Sequence, residues 1–252
     1  DNIISMPPTY GMYKVLSGIN AIENREVLLT KAFQLDVERI LAQVDDFSKI
    51  IFICSPNNPT GNTFSEVAIL ELLKGFAGLV VIDEAYIDFS PKASWLKRLD
   101  EFPNLVITQT LSKAYGLAGI RLGLCFASKE IIAILNKIKP PYNVNELTQQ
   151  HALQQVLQPG VLTSEVAEIL KQKEEVCTLL HQIPFIEHVF PSDANFVLVK
   201  VDDANERYEQ LVAKGIVVRN RTTQPLCGNT LRFTIGTKEE NRKLINALKE
   251  IA

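Results

Sequence analysis

The chain has 252 residues, 46% hydrophobic and 22% charged, and 26 Lys and Arg against 29 Asp and Glu leave a net charge of −3. This is the composition of an ordinary globular protein, long enough for one large core or two modest ones, and two domains are expected. It excludes a basic nucleic-acid binder, because Lys and Arg are scattered rather than gathered on one stripe. The apolar runs, such as residues 78–82, are strand-sized and far short of the ~20 residues of a membrane helix.

The cysteines Cys54, Cys125, Cys177 and Cys227 lie far apart with no C-x-x-C pair, which speaks against a zinc knuckle or redox dithiol and fits a reduced, cytoplasmic compartment. Cys54 and Cys125 fall inside apolar runs and are expected to be buried. His151, His181 and His188 have no acidic or cysteine neighbour at ligand spacing, so no metal is expected.

In chain order, the opening residues 1–4 read as a strand end or a loop. Strand-sized runs follow at 49–54 (KIIFIC), 79–82 (LVVI), 105–109 (LVITQ) and 122–127 (LGLCFA). Residues 66–76 show a helical apolar face, and Thr63 with Glu66 has the form of a capping box. Continuous apolar strands separated by helices predict an α/β layer structure with a mainly parallel sheet. At Lys139-Pro140-Pro141-Tyr142-Asn143 adjacent prolines break the pattern, which predicts a hinge. Helices are expected at 146–157 and 161–181, then strands at 188–190 and 196–201 and a helix at 205–214. Strands at 216–219 and 231–235 and a helix capped by Thr237 and Glu240 complete a smaller α+β domain. The expected division is 1–143, a large ligand-binding domain; 144–183, connecting helices; and 184–252, the small domain.

In open parallel sheets ligands collect at the carboxyl ends of strands. There this sequence places SPNNPTG (55–61), DEAY (83–86), TLSK (110–113) and, before the fourth run, Arg121. Singly, each has an ordinary explanation: a turn, a helix cap, a core aromatic, a solvated charge. Gly116, Gly119 and Gly123 miss the G-x-G-x-x-G spacing of a dinucleotide loop.

Together, SPNNPTG, VVIDEAYIDF, TLSKAYGLAGIRLG and LRFTIGT resemble, in order and interval, the aminotransferase family of pyridoxal-phosphate enzymes with the aspartate-aminotransferase fold. The resemblance implies a three-layer fold-type-I large domain, with pyridoxal 5'-phosphate as cofactor. It implies Lys113 as the Schiff-base lysine, which reacts only as the neutral amine and then carries the substrate α-proton, giving ping-pong kinetics. Asp83 is implied as the carboxylate that keeps the pyridine nitrogen protonated. Asn58 and Tyr86 are implied as partners of the ring hydroxyl oxygen, and Thr110, Ser112 and Arg121 as phosphate anchors. Tyr10 is implied to stack on the ring, although Tyr13 lies close by.

Arg232 matches the family arginine that grips a substrate carboxylate, and Arg219 is expected to join it, with Arg221 as the alternative partner. Two guanidinium groups suit a dianion. PPTYGMY and the other motifs are most similar to members that exchange an amino group between L-histidinol phosphate and glutamate or 2-oxoglutarate in histidine biosynthesis. Members that decarboxylate threonine phosphate, other class I and II aminotransferases, and a ligand-sensing domain that keeps fold and lysine stand as alternatives. Full-length members are homodimers with a further amino-terminal part, so these 252 residues are expected to be a fragment or part of a longer enzyme.

Overall fold

A strand buried on both faces needs apolar side chains on each, and SKIIFIC supplies them: β3 (Ser48–Cys54) lies inside a six-stranded sheet in the computed structural model, which describes residues 1–252. Its companions are β1 (Asn2–Ser5), β2 (Glu23–Glu26), β4 (Leu79–Asp83), β5 (Leu105–Thr110) and β6 (Gly123–Phe126), in the order β2-β1-β3-β4-β5-β6. β1 to β5 run parallel, and β6 closes one edge antiparallel to β5.

Helices α1 (Met12–Ile19), α2 (Val37–Leu41), α3 (Glu66–Gly75) and α4 (Lys129–Ile138) accompany this sheet. α3 turns Ile69, Leu72 and Leu73 onto Ile51, Ile53, Val80 and Ile82, while Val67 faces solvent. Each fully buried side chain of this size contributes about 1.5–3 kcal/mol, so this packing, more than helix propensity, holds α3 in place.

A second sheet, wholly antiparallel, has the order β7-β8-β10-β9, from β7 (Ile186–Val189), β8 (Phe196–Val201), β9 (Arg219–Asn220) and β10 (Thr230–Thr234). With α7 (Ala204–Ala213) and α8 (Lys238–Glu250) it encloses a separate core around Val199, Leu231, Phe233 and Leu248. α5 (Glu146–Val156) stays with the first sheet: Thr148 Oγ1 donates to the Ile120 carbonyl at 3.2 Å, and Ala152 packs on Leu111 and Leu117. α6 (Pro159–Leu180) bridges, its Leu162 and Val166 beside the Tyr86–Phe89 cluster and its Val176 and Leu180 in the second core. No helix is long and apolar enough to cross a membrane.

Several expectations are corrected. Cys125 is exposed, because β6 is an edge strand and its apolar run is not covered on both faces. Residues 216–218 are not strand: the Ile216 amide closes the turn after α7 by donating to the Leu211 carbonyl, leaving only Arg219–Asn220 to pair. Thr63 does not cap α3. Its hydroxyl donates instead to Asp193 at 2.7 Å, and Ser65 occupies the N-cap without a side-chain bond. The Thr237–Glu240 capping box is formed. The polar strand β2 carries no apolar alternation and pairs only at the sheet edge, which is why no periodicity announces it.

Candidate active site

Because β3, β4 and β5 are parallel, their last residues lie in a row: Cys54 stands opposite Asp83, and Asp83 opposite Thr108, two residues before Thr110. Above this row opens a cavity of about 580 Å³. Its wall carries every side chain singled out above: Tyr10, Asn58, Asp83, Tyr86, Thr110, Ser112, Lys113, Arg121, Arg219 and Arg232. Arg221, the alternative, lines it as well. From the second sheet, Arg219 on β9, Arg221 just after it and Arg232 on β10 reach the same cavity. The link is direct, since Arg232 Nη1 donates to Asn58 Oδ1 at 2.6 Å.

Each side chain is held by its neighbours. Asp83 accepts the Ala85 amide at 3.1 Å and the Tyr13 hydroxyl at 2.8 Å, and its burial raises the carboxyl above the ordinary range. Tyr13 is buried, stacked on Phe52 with ring centroids 4.8 Å apart, and edge-on to Tyr10. Tyr13 is thereby committed to Asp83 and Phe52. Tyr10 keeps a ring free at the cavity wall, 43% exposed. The resemblance left these two tyrosines ambiguous, and the repeat of tyrosine three residues apart at the start of a helix was the available signal.

Lys113 lies in the turn after β5, its Nζ 5.2 Å from the centre of the Tyr86 ring. Desolvation first, and the Arg232 guanidinium second, hold its amine below the ordinary lysine range, which favours the neutral nucleophile. Burial pushes the Tyr86 hydroxyl up to about 12, so it remains a proton donor. Burial likewise pushes up the Cys54 thiol, which keeps it an inert wall of the cavity.

At the far end, Thr110 Oγ1 accepts the Ser112 amide and Arg121 Nη1 donates to the Ala118 carbonyl at 2.7 Å. Arg121 adopts a left-handed backbone, φ 56°, a conformation that costs a non-glycine residue about 1 kcal/mol or more and that persists where surrounding structure imposes it. The Ser112 hydroxyl and the planar Arg121 cation offer donors to a phosphate here, while the Thr110 hydroxyl donates to the Leu122 carbonyl at 3.3 Å. Lys113, Arg121, Arg219, Arg221 and Arg232 join none of the ion pairs of the fold. A cavity with four unpaired guanidinium groups and one buried carboxylate fits an anionic ligand that also carries a basic group. A second cavity, of about 530 Å³ beside Trp95 and Arg98, holds no such constellation.

Fold and site together are those of a pyridoxal-phosphate-type transferase, and comparison with known families agrees: the model of aminotransferase class I and II matches residues 1–248. The chain belongs to that family. It is 66% identical over 249 residues to the histidinol-phosphate aminotransferase of Flavobacterium johnsoniae, covering 99% of this chain and 71% of that one. Among solved structures, it is similar to the histidinol-phosphate aminotransferase of Clostridium acetobutylicum, with a TM-score of 0.93 and 26% identity over 100% of this chain and 78% of the other. The Sinorhizobium meliloti histidinol-phosphate aminotransferase in complex with pyridoxal-5'-phosphate shares the fold, with a TM-score of 0.89 at 21% identity over 99% and 70% of the two chains.

Proposed function

We propose that the chain catalyses pyridoxal-phosphate-dependent transamination between L-histidinol phosphate and 2-oxoglutarate in histidine biosynthesis. The observation that carries this reading is the meeting of Asp83, Lys113 and the unpaired arginines around one cavity. Relatives named histidinol-phosphate aminotransferase support histidinol phosphate as the amino donor.

When bound, the cofactor supplies an aldehyde that condenses with amines and a ring that accepts the electron pair released at the substrate α-carbon. Asp83, oriented by Tyr13 and the Ala85 amide, holds a proton at the ring nitrogen. Thr110, Ser112 and Arg121 would hold the cofactor phosphate, Asn58 and Tyr86 its ring hydroxyl oxygen, and Tyr10 would lie against the ring. The Lys113 amine would hold the cofactor aldehyde in the resting enzyme and, once free, would take the proton from the substrate α-carbon and return it at the carbon on the other side of the bridging nitrogen, a general acid/base task. Arg219 and Arg232 orient the substrate through its anionic group. A guanidinium pair accepts the phosphate of one substrate or a carboxylate of the other, which suits a reaction whose two half-reactions share one site.

Residues 1–143 would act as the cofactor-binding part and 184–252 as the small domain, joined through 144–183, of which α5 packs on the first sheet. The four free cysteines support action in the cytoplasm. Exposed apolar side chains on α1, among them Leu16 and Ile19, support association of the full-length enzyme as a homodimer. The test is incubation of the cofactor-loaded protein with histidinol phosphate and 2-oxoglutarate. Glutamate should form, and Lys113→Ala should abolish it; release of carbon dioxide from threonine phosphate without glutamate formation overturns the reading.

A further inference from the structure

We propose that Arg221 is a third substrate arginine, the one that selects a phosphate over a carboxylate at the distal end of the amino donor; the assignment rests on the substrate reading above. In the β9–β10 ladder Arg219 directly faces Arg232. The ladder continues one step further, the Arg221 amide donating to the Thr230 carbonyl at 2.9 Å. Period-two alternation then sets Arg221 on the same face as Arg219, diagonal to Arg232, and all three line the cavity.

Like charges across a sheet repel, and no carboxylate of the chain pairs with any of the three. Their partners differ. Arg232 has Asn58 and lies over the Phe196 ring at 4.6 Å, whereas Arg219 is exposed. Arg221 is half-buried and none of its side-chain N–H groups makes a hydrogen bond; its Nε, like that of Arg232, is shielded from solvent and unpartnered. The Thr222 hydroxyl beside it is also unpartnered. Buried donors in native folds are almost always satisfied, and one left over at a cavity wall marks an acceptor that arrives with the ligand.

The phosphate is the better match. A carboxylate brings one charge and two oxygens, which Arg219 and Arg232 can satisfy. A phosphate monoester brings nearly two charges and three terminal oxygens. The additional donor and the additional charge are what Arg221 supplies.

The experiment uses the cofactor-loaded enzyme in single-turnover half-reactions and reads the apparent dissociation constant from the concentration dependence of the rate at which the lysine-linked cofactor absorbance is lost, with histidinol phosphate, with histidinol, which lacks the phosphate, and with glutamate. Arg221→Gln should weaken histidinol phosphate roughly 30-fold or more, the loss usual for one partner of a desolvated charge pair, and leave histidinol and glutamate within about twofold. Arg221→Lys keeps the charge but not the fork, so it should recover part of the loss. It also serves where the glutamine variant does not fold. Equal weakening of all three ligands, or unchanged histidinol-phosphate binding, overturns the assignment and leaves the substrate reading standing. A wild-type enzyme indifferent to histidinol phosphate overturns both.

Discussion

The Tyr13 hydroxyl donates to Asp83 Oδ2 at 2.8 Å, joining the first helix to the end of a central strand 70 positions further along the chain. Asp83 is held by two donors, one to each oxygen, and so presents a fixed carboxylate edge to the cavity. Tyr13→Phe keeps the ring stack on Phe52 but strips a charged acceptor of one donor. The cofactor-free protein should lose about 1–3 kcal/mol near neutral pH. The sign follows from Asp83: burial already raises its carboxyl, and losing Tyr13 raises it further, so the deficit is present where the carboxylate is ionised and fades as pH falls through its folded range. Denaturant midpoints at several pH values check this, and an unchanged midpoint near neutrality contradicts it.

The Arg232 guanidinium is the second cause, after desolvation, of the low basicity of Lys113. Removing that positive charge stabilises the ammonium, so Arg232→Gln should move the titration of Lys113 to higher pH. Rates of modification by an amine-reactive reagent, followed in the cofactor-free protein across pH, give the midpoint. A shift toward lower pH would be incompatible with the Coulombic origin.

Glu84 follows Asp83 in sequence but serves the fold. It is 1% exposed and accepts the Ser94 hydroxyl at 2.6 Å, the Trp95 amide at 2.7 Å and the Gln109 side-chain amide at 2.9 Å. Glu84→Ala orphans three donors and should cost about 3 kcal/mol or more, measured by chemical denaturation. A loss below about 1 kcal/mol would mean that water replaces the carboxylate freely.

Gly61 seals the SPNNPTG loop against the second sheet. Its φ is +82°, and an added Cβ would stand 2.5 Å from Ser192 Oγ. The same junction is tied by Thr63 to Asp193 and by Lys173 Nζ to the Ser192 and Ala194 carbonyls. Gly61→Ala should therefore destabilise by roughly 1–3 kcal/mol through backbone strain and the clash. It should also raise the KM for both substrates, since the loop carries Asn58, the partner of Arg232. Thermal unfolding and steady-state kinetics test the two effects separately, and an alanine variant with wild-type melting refutes the first.

Much of the site was legible because its chemistry sits directly after strands. KIIFIC, LVVI and LVITQ are apolar enough to mark themselves as buried parallel strands, and a polar residue following such a strand has to stand at its carboxyl end. Asn58, Asp83, Thr110 and Lys113 could be placed at one sheet edge on that ground, and the resemblance gave each a role. Arg219 was harder, since its strand is two residues long and its apolar approach, 216–218, is not strand.

What the sequence determined by itself is thus the class of the sheet, the cation-rich character of its carboxyl edge and the residue types needed for chemistry at a cofactor, all properties of short stretches whose meaning survives without their neighbours. The tertiary structure alone decided that Tyr13 holds Asp83 while Tyr10 faces the cavity, that Thr63 reaches Asp193 instead of capping a helix, and that Arg221 stands beside Arg219 and Arg232 without an acid. Each of these depends on a contact between groups from 2 to 130 or more positions apart, or on a cross-strand register. Such contacts are chosen by which surfaces bury the most apolar area and leave the fewest polar groups unpaired, a competition that involves the whole chain at once.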